Sequence, residues 1–189
     1  MIHEDVDASG AWEQLPGAAR ILLEYSRIQP GDLLIVISNS GRNAVPVEAA
    51  EWARAQGIPV IAVTSLRHSS SVTSLAPSGK RLFEIADLVL DNLGKPGDTL
   101  LEFGDGLGLG PSSTALGAVI MHAMVVSAVA ELVRRGVPPP VMQSSNVPGS
   151  DLVNGRQLLA YTGRLPEVHE RHRERFRRQT ASGQPDPAR

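Results

Sequence analysis

The run Ser38-Asn39-Ser40-Gly41-Arg42-Asn43 gathers short polar side chains around one glycine. Such a run can wrap an anion. Ser38, Asn39, Ser40 and Asn43 offer hydrogen-bonding groups without filling the space, and Gly41 lets backbone come close to a ligand. Two further clusters share this chemistry: Thr64-Ser65, and the hydroxyls of Ser112-Ser113-Thr114 after Pro111. Hydroxyls from three converging places suit a small, polar, anionic ligand. Proton transfer needs a base and an acid working near neutral pH. The candidates are Glu48, His68, His122, Glu13 and His3. Glu48 and His68 are the expected catalytic pair, because both follow the polar runs closely. His122 lies within an apolar stretch and reads as a hydrogen-bonded core or interface residue. No spacing of His, Asp and Glu matches a metal site, so neither metal nor cofactor is expected.

These residues need a frame. Leu33-Leu34-Ile35-Val36-Ile37 is a solid apolar run between turn signals, which predicts a strand covered on both faces of a parallel sheet. A helix capped by Ser40 or Asn43 follows to about Gln56 and ends at Gly57. Pro59 to Thr64 is the second strand, completing a βαβ unit. The first polar run thus lies at a strand's carboxyl end and a helix's start, where open α/β sheets take ligands and where free N–H groups and the helix dipole favour an anion. A surface loop is expected over Ser65 to Lys80 and a third strand at Leu88 to Asp91. Asn92 to Gly110 reads as a flexible glycine-rich crossover, since its alternating glycines lack the GxGxxG spacing. Helices are predicted from Ala11 to Ser26, capped by Asp7 or Ser9, then from Ser113 to Arg135, and near Asp151 to Tyr161.

The bulk numbers fit one globular domain. The chain has 189 residues, 42% apolar and 20% charged, and a formal net charge of −2. That balance recruits neither nucleic acid nor anionic membrane. There is no cysteine, so thiolate chemistry and disulfides are excluded. The acidic start, Met1-Ile2-His3-Glu4-Asp5, is unlike a signal peptide, and a cytoplasmic location is expected. The apolar stretch Ala115 to Leu132 is interrupted by His122, Ser127 and Glu131, and reads as buried in a core or subunit interface rather than as a membrane span. Residues 164–189 carry seven arginines and four acidic residues. They are expected to form a solvated, frayed tail with Glu167–Arg171 and Glu174–Arg178 pairs, leaving residues 1–163 as the domain.

The loop Ser38 to Asn43, its helix, Gly57 and the strand ending in Thr64-Ser65 resemble the SIS (sugar isomerase) domain, whose loop typically reads S-x-S-G-x-T. Asn43 stands where threonine is usual and keeps a hydrogen-bonding group. Ser38 to Pro46, His68-Ser69, Pro77 to Arg81 and Gly110 to Gly117 are similar to an uncharacterised bacterial branch of that family. The resemblance implies a three-layer α/β/α sandwich with a parallel flavodoxin-like sheet, assembled as a homodimer or homotetramer, and a sugar phosphate as ligand. It carries over Ser38, Asn39, Ser40, Gly41 and Asn43 as phosphosugar ligands, Thr64 and Ser65 as pocket wall, and Ser113 and Thr114 as further contacts.

The resemblance also implies a helix and a first strand ahead of this sequence, beside the strand at Leu33 to Ile37. Met1 is therefore expected to be internal to a longer product, or else a short form covers that apolar edge with a partner subunit. Phosphoheptose isomerases carry a glutamine-glutamate-x-histidine run on the long helix, but this helix reads Ala115-Leu116-Gly117-Ala118-Val119-Ile120. Three functions stay open: a sugar-phosphate isomerase, a phosphosugar-sensing module without turnover, and an etherase or deaminase of amino-sugar phosphates.

Overall fold

A computed structural model describes residues 6–160. Three parallel strands, β1 (Leu34–Ile37), β2 (Val60–Thr64) and β3 (Leu88–Asp91), form a sheet in the order β1-β2-β3. Leu34 pairs with Val60 and Ile61 with Leu88. The α/β fold with a parallel sheet is therefore as expected. The open edge at the first strand is as expected too, but its covering on both faces is not. Strand β1 is the sheet edge among the described residues, and Ile37 is 53% exposed, whereas β2 is buried at Val60, Ala62, Val63 and Thr64. Among the described residues only β2 has a strand on each side, and it is the most buried of the three.

Helix α3 (Ala44–Ala55) crosses from β1 to β2. Its buried residues Ala44, Val47, Ala50 and Ala53 recur every three positions and are small, so the helix lies close on the sheet. Ala50, Ala53, Ile58, Val60, Ala62 and Leu82 form the core. At the amino end of the sheet Asp87 accepts the Val60 N–H at 2.8 Å and pairs with Arg54.

Before β1 stand two short helices, α1 (Val6–Glu13) and α2 (Ala18–Tyr25), where one helix is predicted. Pro16 brings no N–H, and Gly17 turns at φ 84°, which breaks the apolar stripe of Trp12, Leu15, Ala19 and Leu22 in two. Helix α1 already contains Asp7 and Ser9, so neither caps a helix beginning at Ala11. After β2, the expected loop holds the short α4 (Leu66–Ser70), capped by Ser65, whose Oγ accepts the His68 N–H at 3.0 Å.

The crossover is more ordered than predicted. Strands β4 (Leu101–Glu102) and β5 (Gly108–Leu109) pair antiparallel, with Leu101 opposite Leu109. Helix α5 (Ser112–Arg134) follows, and almost none of its most apolar stretch is buried. By length and composition alone it could cross a membrane. Of the two expected settings, core or subunit interface, the described residues do not provide the core.

The chain divides into two compact units at Val126–Ser127. In the second, Glu131 pairs with Arg134 and Arg135 at the end of α5. The helix stops at Gly136, φ 70°, with the Val137 N–H donating to the Leu132 carbonyl at 2.9 Å. Helix α6 (Ser150–Ala160) follows, and Asn154 brackets Gln143 by bonding its backbone N–H and carbonyl. The predicted tail at 164–189, the boundary at 163 and His3 lie outside the described residues.

Candidate functional site

Strand β1 hands over to the polar run without a gap. The Ser38 N–H donates to the Val63 carbonyl at 3.0 Å, so Ser38 continues the ladder, while its buried Oγ accepts the Gly41 N–H at 3.3 Å. Gly41 takes φ 56°, and a Cβ there would lie 3.0 Å from Ser69 Oγ and 3.2 Å from both Leu82 Cβ and Thr64 Oγ1. Only glycine fits both the backbone and the space. The carbonyls of Gly41 and Arg42 are tied away by the N–H groups of Leu82 and Leu75, each at 2.8 Å. Asn43 then enters α3 in extended backbone, with no capping bond from its side chain. The Val47 N–H reaches the Asn43 carbonyl at 3.4 Å. Ala44 and Val45 thus offer N–H groups with no partner within the helix, and Pro46 has none to offer. What remains is a run of small donors at the positive end of a helix dipole.

The loop is clamped from both neighbouring strands. The Asn39 carbonyl accepts Thr64 Oγ1 and the Ser65 N–H, each at 3.1 Å. The Asn39 side chain links His68 Nδ1, 3.4 Å from its Nδ2, to Asn92 Nδ2, 2.9 Å from its Oδ1. Asn92 follows β3, and its Oδ1 accepts the Gly94 N–H at 2.9 Å. The carbonyl of Gly94 in turn accepts Ser65 Oγ at 2.7 Å. The carboxyl ends of all three strands are therefore joined by one polar network (Asn39, His68 and Asn92). Beneath the loop, Ser69 Oγ and Arg42 Nε are buried without a hydrogen-bond partner among the described residues.

The structure thus brings Ser38, Asn39, Ser40, Gly41, Asn43, Thr64, Ser65 and His68 together. Thr64 and Ser65 are buried and spend their hydroxyl protons on backbone carbonyls. They brace the loop from below. Ser113 and Thr114 begin α5, but that helix start already holds an anion. Asp98 Oδ1 accepts the N–H groups of Ser112 and Ser113, each at 2.9 Å, and both serine hydroxyls donate to the same carboxylate. Burial pushes the Asp98 carboxyl up, but the bonds from Ser113 and Ser112 outweigh it and hold the group below the ordinary aspartate range. Thr114 is exposed.

Glu48 faces the other way along α3. Its Oε2 accepts the Gly17 N–H at 2.8 Å, at the start of α2. His122 is exposed on α5 rather than hydrogen-bonded in a core. Asn92 and Gly94 are the residues that sequence reasoning missed. Neither belongs to a cluster of hydroxyls, and only the strand order brings them under Asn39. Among the described residues no group of three or more His, Asp or Glu side chains gathers as a metal site would.

Comparison with known proteins shows the family. The SIS domain family matches over residues 1–65, from the chain's start to the second strand's end. A UPF0309 protein of Brucella anthropi is 43% identical over 169 residues, which is 89% of this chain and 68% of the relative. One from Halalkalibacterium halodurans is 41% identical over 162 residues, 85% of this chain and 67% of the relative. A Listeria monocytogenes UPF0309 protein is 39% identical over 167 residues, 88% and 68% of the two chains. With a βαβ unit that presents Ser38 to Asn43 at a strand's end, and relatives this similar, the chain belongs to the UPF0309 family of SIS-domain proteins.

Proposed function

We propose that the chain binds a phosphorylated sugar or amino sugar, with the phosphate on Ser38, Asn39, Ser40, Gly41, Asn43 and the start of α3. SIS domains in general bind phosphosugars. One observation carries the reading here: the carbonyls of Asn39, Gly41 and Arg42 are tied back, while the Ser40 hydroxyl and the first α3 N–H groups stay at the strand's end. Carbohydrate-derivative metabolism in the cytoplasm, by a homodimer or homotetramer, belongs to the same reading. His68, half-buried and 3.4 Å from Asn39, suits a role in aldose–ketose isomerisation. Ser113 and Thr114 reach the sugar only by sharing the α5 start with Asp98, or by displacing it.

A second reading, phosphosugar sensing without turnover, is favoured by the partners of the nearby carboxylates. Glu48 is bonded to Gly17, Asp91 to the N–H groups of Leu66 and Leu93, and Asp98 to the α5 start. A general base would have to give up such a bond. Thermal unfolding against sugar phosphates, free sugars and inorganic phosphate tests the proposal. A ligand at 100 times its dissociation constant adds about 2.7 kcal/mol, a rise of several degrees. A rise with one phosphosugar supports the site and names the compound to assay for turnover. No rise with any phosphate compound counts against it.

A further inference from the structure

The polar network across the strand ends has a direction, and one group sets it. The Gly94 N–H can only donate, so the Asn92 oxygen that it meets at 2.9 Å must be Oδ1. That turns Asn92 Nδ2 towards Asn39, whose facing atom, 2.9 Å away, must accept and is therefore Oδ1. Asn39 then presents Nδ2, a donor, to the histidine. The ring nitrogen 3.4 Å from it, His68 Nδ1, must be the unprotonated one. A neutral imidazole with a bare Nδ1 carries its proton on Nε2. We propose that Asn92 and Asn39 form an oriented amide relay that fixes His68 as the Nε2–H tautomer, so that the histidine meets its ligand as a hydrogen-bond donor.

The relay is held at its origin. The Gly94 carbonyl is bonded to Ser65 Oγ at 2.7 Å, which anchors the residue whose N–H starts it. A Cβ on Gly94 would come within 3.0 Å of Asn92 Oδ1 and 3.2 Å of Asn39 Oδ1, so a glycine is needed for the amides to reach past it. Asn92 is buried and Asn39 half-buried, which keeps water from scrambling the sequence of donors and acceptors. Among the described residues His68 Nε2 has no hydrogen-bond partner, so its N–H is open to a ligand. The group opposite must be an acceptor: a phosphate, carbonyl or hydroxyl oxygen. This last step rests on the phosphosugar reading, in which His68 would polarise a sugar oxygen rather than take up a proton. Asn39 and Asn92 are positioning residues.

The test is nitrogen-15 NMR of the ring nitrogens in the full-length chain without ligand, with His68 assigned by its loss in His68→Gln. It is run at about pH 8.5, where model imidazole side chains are neutral. The wild type should show a pyridine-like Nδ1 and a pyrrole-like Nε2. Free imidazole side chains lean the same way, so the variant Asn92→Asp carries the weight. Its carboxylate would accept from both the Gly94 N–H and Asn39 Nδ2, turning Asn39 round to offer Oδ1 to the ring. His68 should then invert to the Nδ1–H tautomer, a change that mere loosening of the site would not produce. A protonated Nδ1 in the wild type, or an unchanged tautomer in Asn92→Asp with a wild-type melting midpoint, would overturn the relay. Should Asn92→Asp fail to fold, Gly94→Ala, which crowds both amides, should populate both tautomers, and an unchanged single tautomer would equally overturn it. Because no ligand is present, the relay can hold while the phosphosugar panel fails, or the reverse.

Discussion

Ser40 and Glu48 sit on the same βαβ unit, yet their surroundings ask different things of them. Ser40 lies half-buried between the ladder's end and Gly41, where its hydroxyl has no structural bond among the described residues. Ser40→Ala should therefore leave the melting midpoint unchanged and weaken phosphosugar binding by about 1–3 kcal/mol, the cost of a lost bond to a charged group. Calorimetric titration reads this, and unchanged affinity would make the loop structural. Glu48 accepts the Gly17 N–H at the start of α2. An amide oxygen can accept that bond too, so Glu48→Gln should melt like the wild type, and only a catalytic carboxylate would make it lose turnover. Glu48→Ala removes the acceptor and should cost about 1 kcal/mol, as lost helix caps do. The pair of variants separates the two roles. Gly41→Ala belongs to the same scale: with φ 56° and neighbours at 3.0 to 3.2 Å, it should lower stability by about 1–3 kcal/mol in urea melts.

At the scale of elements, the start of α5 depends on Asp98. Its carboxyl is held below its ordinary value, so it binds protons less readily folded than unfolded. The stability it lends is present above about pH 4, the unfolded range for aspartate, and is lost as pH falls through the folded value. Asp98→Asn should lower the midpoint at pH 7 and flatten the acid limb of the stability curve. Equal losses at pH 7 and at pH 3 would argue against the cap. How far such features can be read from sequence depends on their range. Strands β1 and β2 were legible because apolar runs followed turns rich in proline and glycine, and the loop Ser38 to Asn43 because strand, polar run and helix follow one another. The break at Pro16-Gly17 was hidden by a stripe, Trp12, Leu15, Ala19 and Leu22, that carries on through it. Strands β4 and β5 have two residues each, too few for an alternating pattern. The cap from Asp98 and the network through Asn92 are long-range contacts, which no local spacing encodes.

At the scale of the molecule, α5 shows a long apolar surface among the described residues. Leu116, Val119, Ala123, Val126, Ala130 and Val133 are all exposed and recur at three and four along the helix. That spacing is the seam of a coiled coil, and its alternating small residues let a second helix approach closely. A second copy would offer the same positions as a matching seam for a helix that the described residues leave uncovered. Sedimentation in plain buffer should therefore find the chain associated. Val126→Glu, which places a charge at an exposed position mid-seam, should shift it towards monomer while its α/β unit still melts cooperatively. A wild type that is monomeric without detergent would remove the seam as an interface. One that stays in solution only with detergent would give α5 the other partner that its length and composition allow, a lipid bilayer.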